Sequence, residues 1–116
     1  MCSGMIRQKI TSAVSPICQI FASDAKTHKA PYATYSLSEE TLYDKDGPTA
    51  IRADVEILVV ATNYDTAASI ADRVIGAIGA LRSEMLVKLQ NREPYESTDA
   101  ALFAVGLTYE ITEEIQ

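Results

Sequence analysis

Hydrophobic residues recur at helical spacing near the N-terminus of the chain. Between Met5 and about Phe21 they fall on one helix face, and they are Ile6, Ile10, Ala13, Val14, Ile17 and Phe21. Ser15 and Pro16 interrupt this pattern in the manner of an N-cap residue followed by a first-turn proline. The segment therefore predicts either one kinked helix or two short helices that meet at Ser15.

Alternating polar and apolar residues then predict a long hairpin. Its first strand runs from Tyr32 to Tyr43 and follows a polar loop over residues 23–29. Its second strand covers residues 51–60, after a turn over residues 44–48 that contains glycine and proline. The apolar positions on one face of these strands are Ala33, Tyr35, Leu37, Ile51, Ala53, Val55, Ile57 and Val59.

A second helix is predicted over residues 66–81, where Asn63 or Asp65 can cap the N-terminus. Its apolar stripe consists of Ala67, Ile70, Ala71, Val74, Ile78 and Leu81. Gly76 and Gly79 each destabilise a helix by about 1 kcal/mol relative to alanine. We therefore expect this helix to pack closely on a sheet.

Two further alternating segments predict strands over residues 85–90 and 102–111, with a loop from Asn91 to Asp99 between them. The order of elements is helix, strand, strand, helix, strand, strand. The sequence thus predicts an α+β fold with a four-stranded, mainly antiparallel sheet. Both helices are expected on one face, and the long β-hairpin is expected to project.

Length and composition fit a single domain over residues 1–116, in which residues 1–4 are expected to be disordered or a start-site remnant. The net charge of −6 opposes nucleic-acid binding, because Lys and Arg supply most of the affinity for phosphates. No apolar run has the length of a signal peptide or membrane span, so an intracellular protein without membrane association is expected. Cys2 and Cys18 indicate a terminal thiol and a buried small hydrophobe.

Candidate catalytic residues are few. His28 is the single histidine, and no carboxylate or nucleophile is indicated beside it, so a surface-loop position is expected. Acid pairs fall in turns or near the termini, where solvated carboxylates are the rule. Asp44 and Asp46 would bind a cation weakly, because the ligand series of a calcium loop is missing. We therefore predict no enzyme activity, no cofactor and no metal site.

The six tyrosines suggest a different surface. Tyrosines on a sheet can stack on nucleobases, but such sites need basic neighbours, and these strands carry acids. We expect the rings to pack while the hydroxyl groups stay in water, with some tyrosines contacting a protein partner. The six are Tyr32, Tyr35, Tyr43, Tyr64, Tyr95 and Tyr109.

The ordered set of elements carries a resemblance that covers Ile6 to Ile115. A helical region and a polar loop precede APYATY (residues 30–35), and the second hairpin strand is ADVEILVVA (residues 53–61). That strand leads through NYDTAA (residues 63–68) into an Ala/Ile-rich helix containing IADRV (residues 70–74). In this order the chain resembles the small tail-completion, or tail-terminator, proteins of long-tailed bacteriophages.

The resemblance implies a structural protein that assembles as a ring, often a hexamer. Such a ring caps the tail tube, stops its growth and meets the head connector, which implies a location in the virion tail and, during assembly, the host cytoplasm. An acidic ring lining would repel DNA and let it slide. A long hairpin can reach a neighbouring subunit. The residues expected at that interface are Tyr35, Leu42, Tyr43, Asp44, Lys45, Asp46 and Gly47.

Two alternatives stay open at this point. A small-molecule-binding regulatory module with a ferredoxin-like sheet has the same α+β content, although its order of elements starts with a strand. An enzyme acting through Asp or Glu is the other alternative.

Overall fold

The computed structural model describes residues 5–22, 31–96 and 102–114, so the expectations for Cys2, His28 and residues 1–4 lie outside the described residues. Within these described ranges, two α-helices and five strands follow one another, and a 3-10 turn at Ala80–Ser83 follows the second helix. Their bounds are α1 Met5–Val14, β1 Ile20–Ala22, β2 Tyr32–Asp44, β3 Gly47–Ala61, α2 Tyr64–Gly79, β4 Leu86–Glu96 and β5 Phe103–Glu114.

The strands form one five-stranded sheet with the order β1-β2-β3-β5-β4. β1 runs parallel to β2, and the other neighbouring pairs are antiparallel. The α+β class is confirmed, but the prediction of four strands missed β1. Three residues are too few to show an alternation, so the apolar residues of β1 were assigned to the preceding helix.

α1 ends at Val14, and neither predicted continuation through Pro16 forms. The amide of Ile17 donates to the Val14 carbonyl at 2.8 Å and that of Cys18 donates to the same oxygen at 3.1 Å, which closes a turn. Proline disfavours a helical conformation at the residue before it, so Ser15 becomes a helix terminus rather than an N-cap. The chain then enters β1.

Both helices pack on one face of the sheet and bury the core there. α1 contributes Ile6, Ile10 and Val14, which share one helix face. α2 contributes the predicted stripe, buried from Ala67 to Ile78. The strand residues that meet them are Ala33, Ile51, Ala53, Val55, Ile57, Val59, Ala61, Val87, Val105, Leu107, Tyr109 and Ile111. The predicted alternation on the hairpin strands is therefore confirmed.

The connection from β3 through α2 to β4 skips one strand position, which β5 fills. β3 and β4 run parallel, because each is antiparallel to β5. This arrangement is a split β-α-β unit of the kind found in ferredoxin-like sheets. A ferredoxin-like fold has the order β-α-β-β-α-β, and moving its first strand to the end gives α-β-β-α-β-β. This is the order of α1, β2, β3, α2, β4 and β5. The order of elements therefore does not distinguish this fold from a ferredoxin-like fold.

The predicted loop from Asn91 to Asp99 was wrong, and the packing of α2 on the sheet does not depend on its glycines. Residues 91–96 belong to β4, because a register shift between Leu89 and Asn91 breaks the alternation without ending the strand. Residues 97–99 of the expected loop lie outside the described residues. A Cβ built on Gly76 or Gly79 would meet nothing within 4 Å, so neither glycine serves a close approach of α2 to the sheet.

Candidate protein interface

The β2–β3 hairpin extends past the rest of the sheet only at its tip. Its two strands pair from Tyr32 opposite Val60 to Asp44 opposite Gly47. β5, the third strand, follows β3 only as far as Ala50, which pairs with Glu114. Among the described residues, the last two paired rows and the turn thus stand without a third strand, a projection of about 10 Å. Most of the predicted arm is therefore part of the sheet.

The turn chemistry of the tip fixes its shape. The Asp46 amide donates to Asp44 Oδ1 at 2.7 Å, as in turns that begin with aspartate. Gly47 has a φ of +117°, a conformation that residues with a Cβ rarely adopt. The hydroxyl of Thr49 donates to the Leu42 carbonyl at 3.3 Å, next to a register shift between Leu42 and Tyr43. These local bonds give the tip a defined conformation.

The predicted interface residues divide into two groups. Tyr43 is 71% exposed at the tip, Leu42 is half-buried, and the residues from Asp44 to Asp46 are exposed. Tyr35 lies about 26 Å away along the strand, half-buried against the core on the helix-bearing face. The structure therefore does not bring Tyr35 together with the tip, and an interface role for either group stays a prediction.

The face of the sheet opposite the helices, called the open face below, is acidic and rich in small hydroxyl side chains. A shallow depression of about 470 Å³ lies at its centre. The residues lining it include Thr34, Ser36, Glu56, Gly106 and Thr108. Strand alternation places more acids than bases on this face. The acids include Glu40, Asp54, Glu56, Glu93 and Glu110, and the bases are Arg52 and Lys88. The excess of acid leaves the open face negatively charged.

An ion-pair cluster ties α1 to the sheet near the base of the hairpin tip. Lys9 Nζ lies 3.0 Å from Glu113 Oε2 and 3.2 Å from Glu84 Oε1. The hydrogen bond with Glu113 raises the pKa of Lys9, burial opposes that rise, and Glu84 adds to it. The Oε1 atom of Glu113 is buried without a hydrogen-bond partner among the described residues. The cluster has a structural role, because its ion pairs hold α1 against β5.

The tyrosines do not share one environment. Tyr109 is 1% exposed, and its hydroxyl has no hydrogen-bond partner within the described part of the chain. The expectation of a hydroxyl in water was therefore wrong for Tyr109. Burial raises its pKa to about 12, while the charge of Arg82 opposes the rise. Tyr109 occupies an apolar position in the alternation of β5, and this pattern could have predicted its burial.

Sequence reasoning also missed two strand edges. β1 pairs with β2 only from Ala33 to Tyr35, so β2 has no outer partner from Ser36 to Asp44 among the described residues. β4 forms the other end of the sheet. Leu86, at the start of β4, is 68% exposed. Edges of this kind depend on strand order, which no local pattern reveals.

Within the ranges that the structure describes, no helix is long and apolar enough to cross a membrane. No cluster of three or more His, Cys, Asp or Glu residues in the same ranges could hold a metal ion.

Comparison with solved structures gives an informative likeness. The chain is similar in structure to a chain of the virion of a native gene transfer agent (GTA) particle, with a TM-score of 0.67 and 17% sequence identity. The match covers 95% of this chain and 92% of the other. No protein-family model matches the sequence, and no curated protein matches it. At this identity the likeness shows a shared fold.

Proposed function

We propose that the chain is a structural protein of a phage, prophage or phage-like particle, which caps the tail tube as a ring and helps to join tail to head. The observation that carries the proposal is the fold shared, over nearly the whole length of both chains, with a component of a gene transfer agent virion. A match that covers both chains almost completely also argues against an unrelated domain that merely contains a similar sheet.

Two features of the surface support an assembly role. The tip of the β2–β3 hairpin carries the exposed ring of Tyr43, and tyrosine is favoured at protein interfaces. The open face is acidic, which suits the lining of a channel because such a wall repels DNA phosphates. In this proposal the partners are further copies of the chain, the tail tube and the head connector. The chain would act in the virion tail after assembly in the host cytoplasm.

The proposal assigns no reaction and no bound small molecule to the chain. A ferredoxin-like regulatory module is the competing proposal, and the depression on the open face would be its ligand site. A ligand-dependent rise in melting temperature together with a strict monomer or dimer would favour that module. An enzyme acting through its carboxylates is not favoured by any observation on the described residues.

The decisive experiment measures the mass of the purified chain by light scattering across concentration and salt, with electron microscopy of the same samples. A closed ring, or binding of the chain to the ends of purified tail tubes, supports the proposal. A strict monomer that ignores tail tubes contradicts it. Genes for capsid, connector and tape-measure proteins beside the gene for this chain would be independent support.

A further inference from the structure

Two edges of the sheet offer backbone groups for pairing. On β2, the outer edge from Ser36 to Asp44 has no strand partner among the described residues, because β1 stops opposite Tyr35. On β4, the outer edge spans Leu86–Glu96 at the opposite end of the sheet. Unpaired amide and carbonyl groups along such edges are a template for another strand. The two edges are also of similar length.

The directions of the strands favour a contact between copies. β2, β3, β5 and β4 alternate in direction across the sheet, so β2 and β4 run in opposite directions. When two copies stand side by side in the same orientation, β2 of one copy therefore meets β4 of the next copy as an antiparallel neighbour. Each copy uses each edge once, which gives a head-to-tail contact of the type that closes rings.

The charges of the β2 edge and of the first part of the β4 edge are complementary. The β2 segment from Ser36 to Asp44 holds three acids and no base, and the acids are Glu39, Glu40 and Asp44. The β4 segment from Leu86 to Arg92 holds Lys88 and Arg92 and no acid. Arg92 already pairs with Asp72 of α2, so Lys88 is the base that this segment offers to a neighbour. Glu40 pairs with Arg52 of the same copy, and Lys88 of the next copy would be a second cationic partner for it. Opposite charges on facing strands stabilise antiparallel pairs, whereas like charges destabilise them. Pairing β2 with a second β2 would thus be unfavourable.

One register satisfies charge and hydrophobicity together. Placing Glu40 opposite Lys88 also places Leu42 opposite Leu86, because residue numbers run in opposite senses along antiparallel strands. All four side chains belong to the open face by alternation. This register shifts the neighbouring copy by about 7 Å along the strands. Closure of a sheet into a ring requires such a stagger.

We propose that copies of this chain join by antiparallel pairing of the β2 edge, from Ser36 to Leu42, with residues Leu86 to Arg92 of the β4 edge in the next copy, with Glu40 facing Lys88. The inference rests on the proposed ring and names the contact that builds it. The five-stranded sheets then merge into one continuous sheet, whose acidic open face lies on one side of the ring.

Cysteine cross-linking tests this contact. In a background carrying Cys2→Ser and Cys18→Ala, the double variant Glu40→Cys/Lys88→Cys is oxidised and separated without reductant. Because every copy carries both partners, we expect a ladder of covalent species beyond the dimer that reductant abolishes. A matched control combines Lys88→Cys with Ser69→Cys, which is exposed on α2. Held neighbours raise the effective thiol concentration, so we expect about tenfold more product above the dimer than in this control.

The outcomes separate this contact from the proposed ring. If light scattering shows a ring while the Glu40→Cys/Lys88→Cys variant gives no ladder, the edge contact is overturned and the ring stands. A ladder through Ser38→Cys/Lys88→Cys instead overturns the register, since Ser38 lies two residues away. Dimers from Lys88→Cys alone, in place of a ladder, show β4 pairing with β4 and overturn the contact. A strict monomer overturns both proposals.

Discussion

Lys9 of α1 and Glu113 of β5 form an ion pair of 3.0 Å between residues at opposite ends of the chain. Glu113 is only 9% exposed, so its carboxylate depends on this partner for charge compensation. We expect Lys9→Met to lower the urea midpoint of unfolding, because it leaves a nearly buried carboxylate uncompensated. The double variant Lys9→Met/Glu113→Gln should regain part of the loss. Denaturation followed by circular dichroism measures both.

The control for this ion pair is Glu84→Gln, which removes the more exposed partner of Lys9 and should have a smaller effect. The pKa of Lys9 is raised above its ordinary value of 10.5 in the folded state. Its contribution to stability is therefore complete below pH 10.5 and declines as the pH rises through the higher folded value. Equal midpoints for Lys9→Met and Glu84→Gln would contradict the dependence on Glu113.

Removal of the buried hydroxyl of Tyr109 is expected to stabilise the protein, in contrast to the loss of the Lys9 ion pair. A buried polar group without a hydrogen bond destabilises the folded state, so Tyr109→Phe should raise the free energy of unfolding by about 1 kcal/mol. Tyr64→Phe is the matched control, because Tyr64 is 45% exposed, and its effect should stay within about 0.5 kcal/mol. Urea denaturation at neutral pH compares the two. Destabilisation by Tyr109→Phe would mean that the hydroxyl is bonded in solution.

Alkaline pH gives a second test of Tyr109. Its pKa rises from 10 in the unfolded chain to about 12 in the folded protein. The associated stability is present below pH 10 and is lost as the pH rises from 10 to 12, because the unfolded chain releases the proton first. The Tyr109→Phe variant should lack this part of the alkaline decline. Parallel melting curves of the two proteins at several pH values measure the difference.

Asn63 holds the N-terminus of α2, as one of the two sequence-based alternatives predicted. Its Oδ1 accepts a hydrogen bond of 2.8 Å from the Thr66 amide, and its backbone is extended. Asn63→Ala should lower the free energy of unfolding by about 1 kcal/mol, whereas Asn63→Asp keeps an acceptor and should be nearly neutral. Thermal melting compares the variants with Asp65→Ala as a neighbouring control. A loss as large for Asp65→Ala as for Asn63→Ala would contradict the assignment of the cap to Asn63.

Local patterns predicted those parts of the fold that local physics determines. β3 shows a long alternation, and one of its faces is buried as predicted from Ile51 to Val59. β1 was not predicted, because three residues are too few to show an alternation. The end of β4 was predicted too early, because the bulge after Leu89 reverses the alternation. A strand assignment therefore fails where a strand is very short or changes register.

The candidate interface shows a similar division. The turn residues predicted the hairpin tip, and Tyr43 is exposed there. The separation of Tyr35 from the tip follows from the predicted strand itself, because eight residues of strand span about 26 Å. The half-buried position of Tyr35 on the helix-bearing face depends on long-range packing, which no local pattern reveals. The two open edges depend on strand order, which long-range pairing decides. Sequence thus indicated which segments could contact a partner, but not which lie together.

The hairpin tip provides the most direct test of assembly. Tyr43 is largely exposed, so Tyr43→Ser should change the free energy of unfolding by less than about 0.5 kcal/mol. If its ring is buried against a neighbouring copy, the same change should weaken association by about tenfold or more, as loss of an interface tyrosine does. Replacing residues 44–47 with a shorter turn should likewise spare the fold and weaken assembly. Sedimentation across a concentration series measures both effects.

The matched control for the tip is Tyr64→Ser, which removes an exposed tyrosine from the first turn of α2 and should leave assembly unchanged. The tip stands beyond the last residue of β5, so no third strand among the described residues lies beside it. A defect confined to the tip variants would therefore locate a contact between copies at the tip. If rings form equally well in all of these variants, the tip takes no part in assembly. The edge pairing of β2 with β4 would then have to hold the copies together without it.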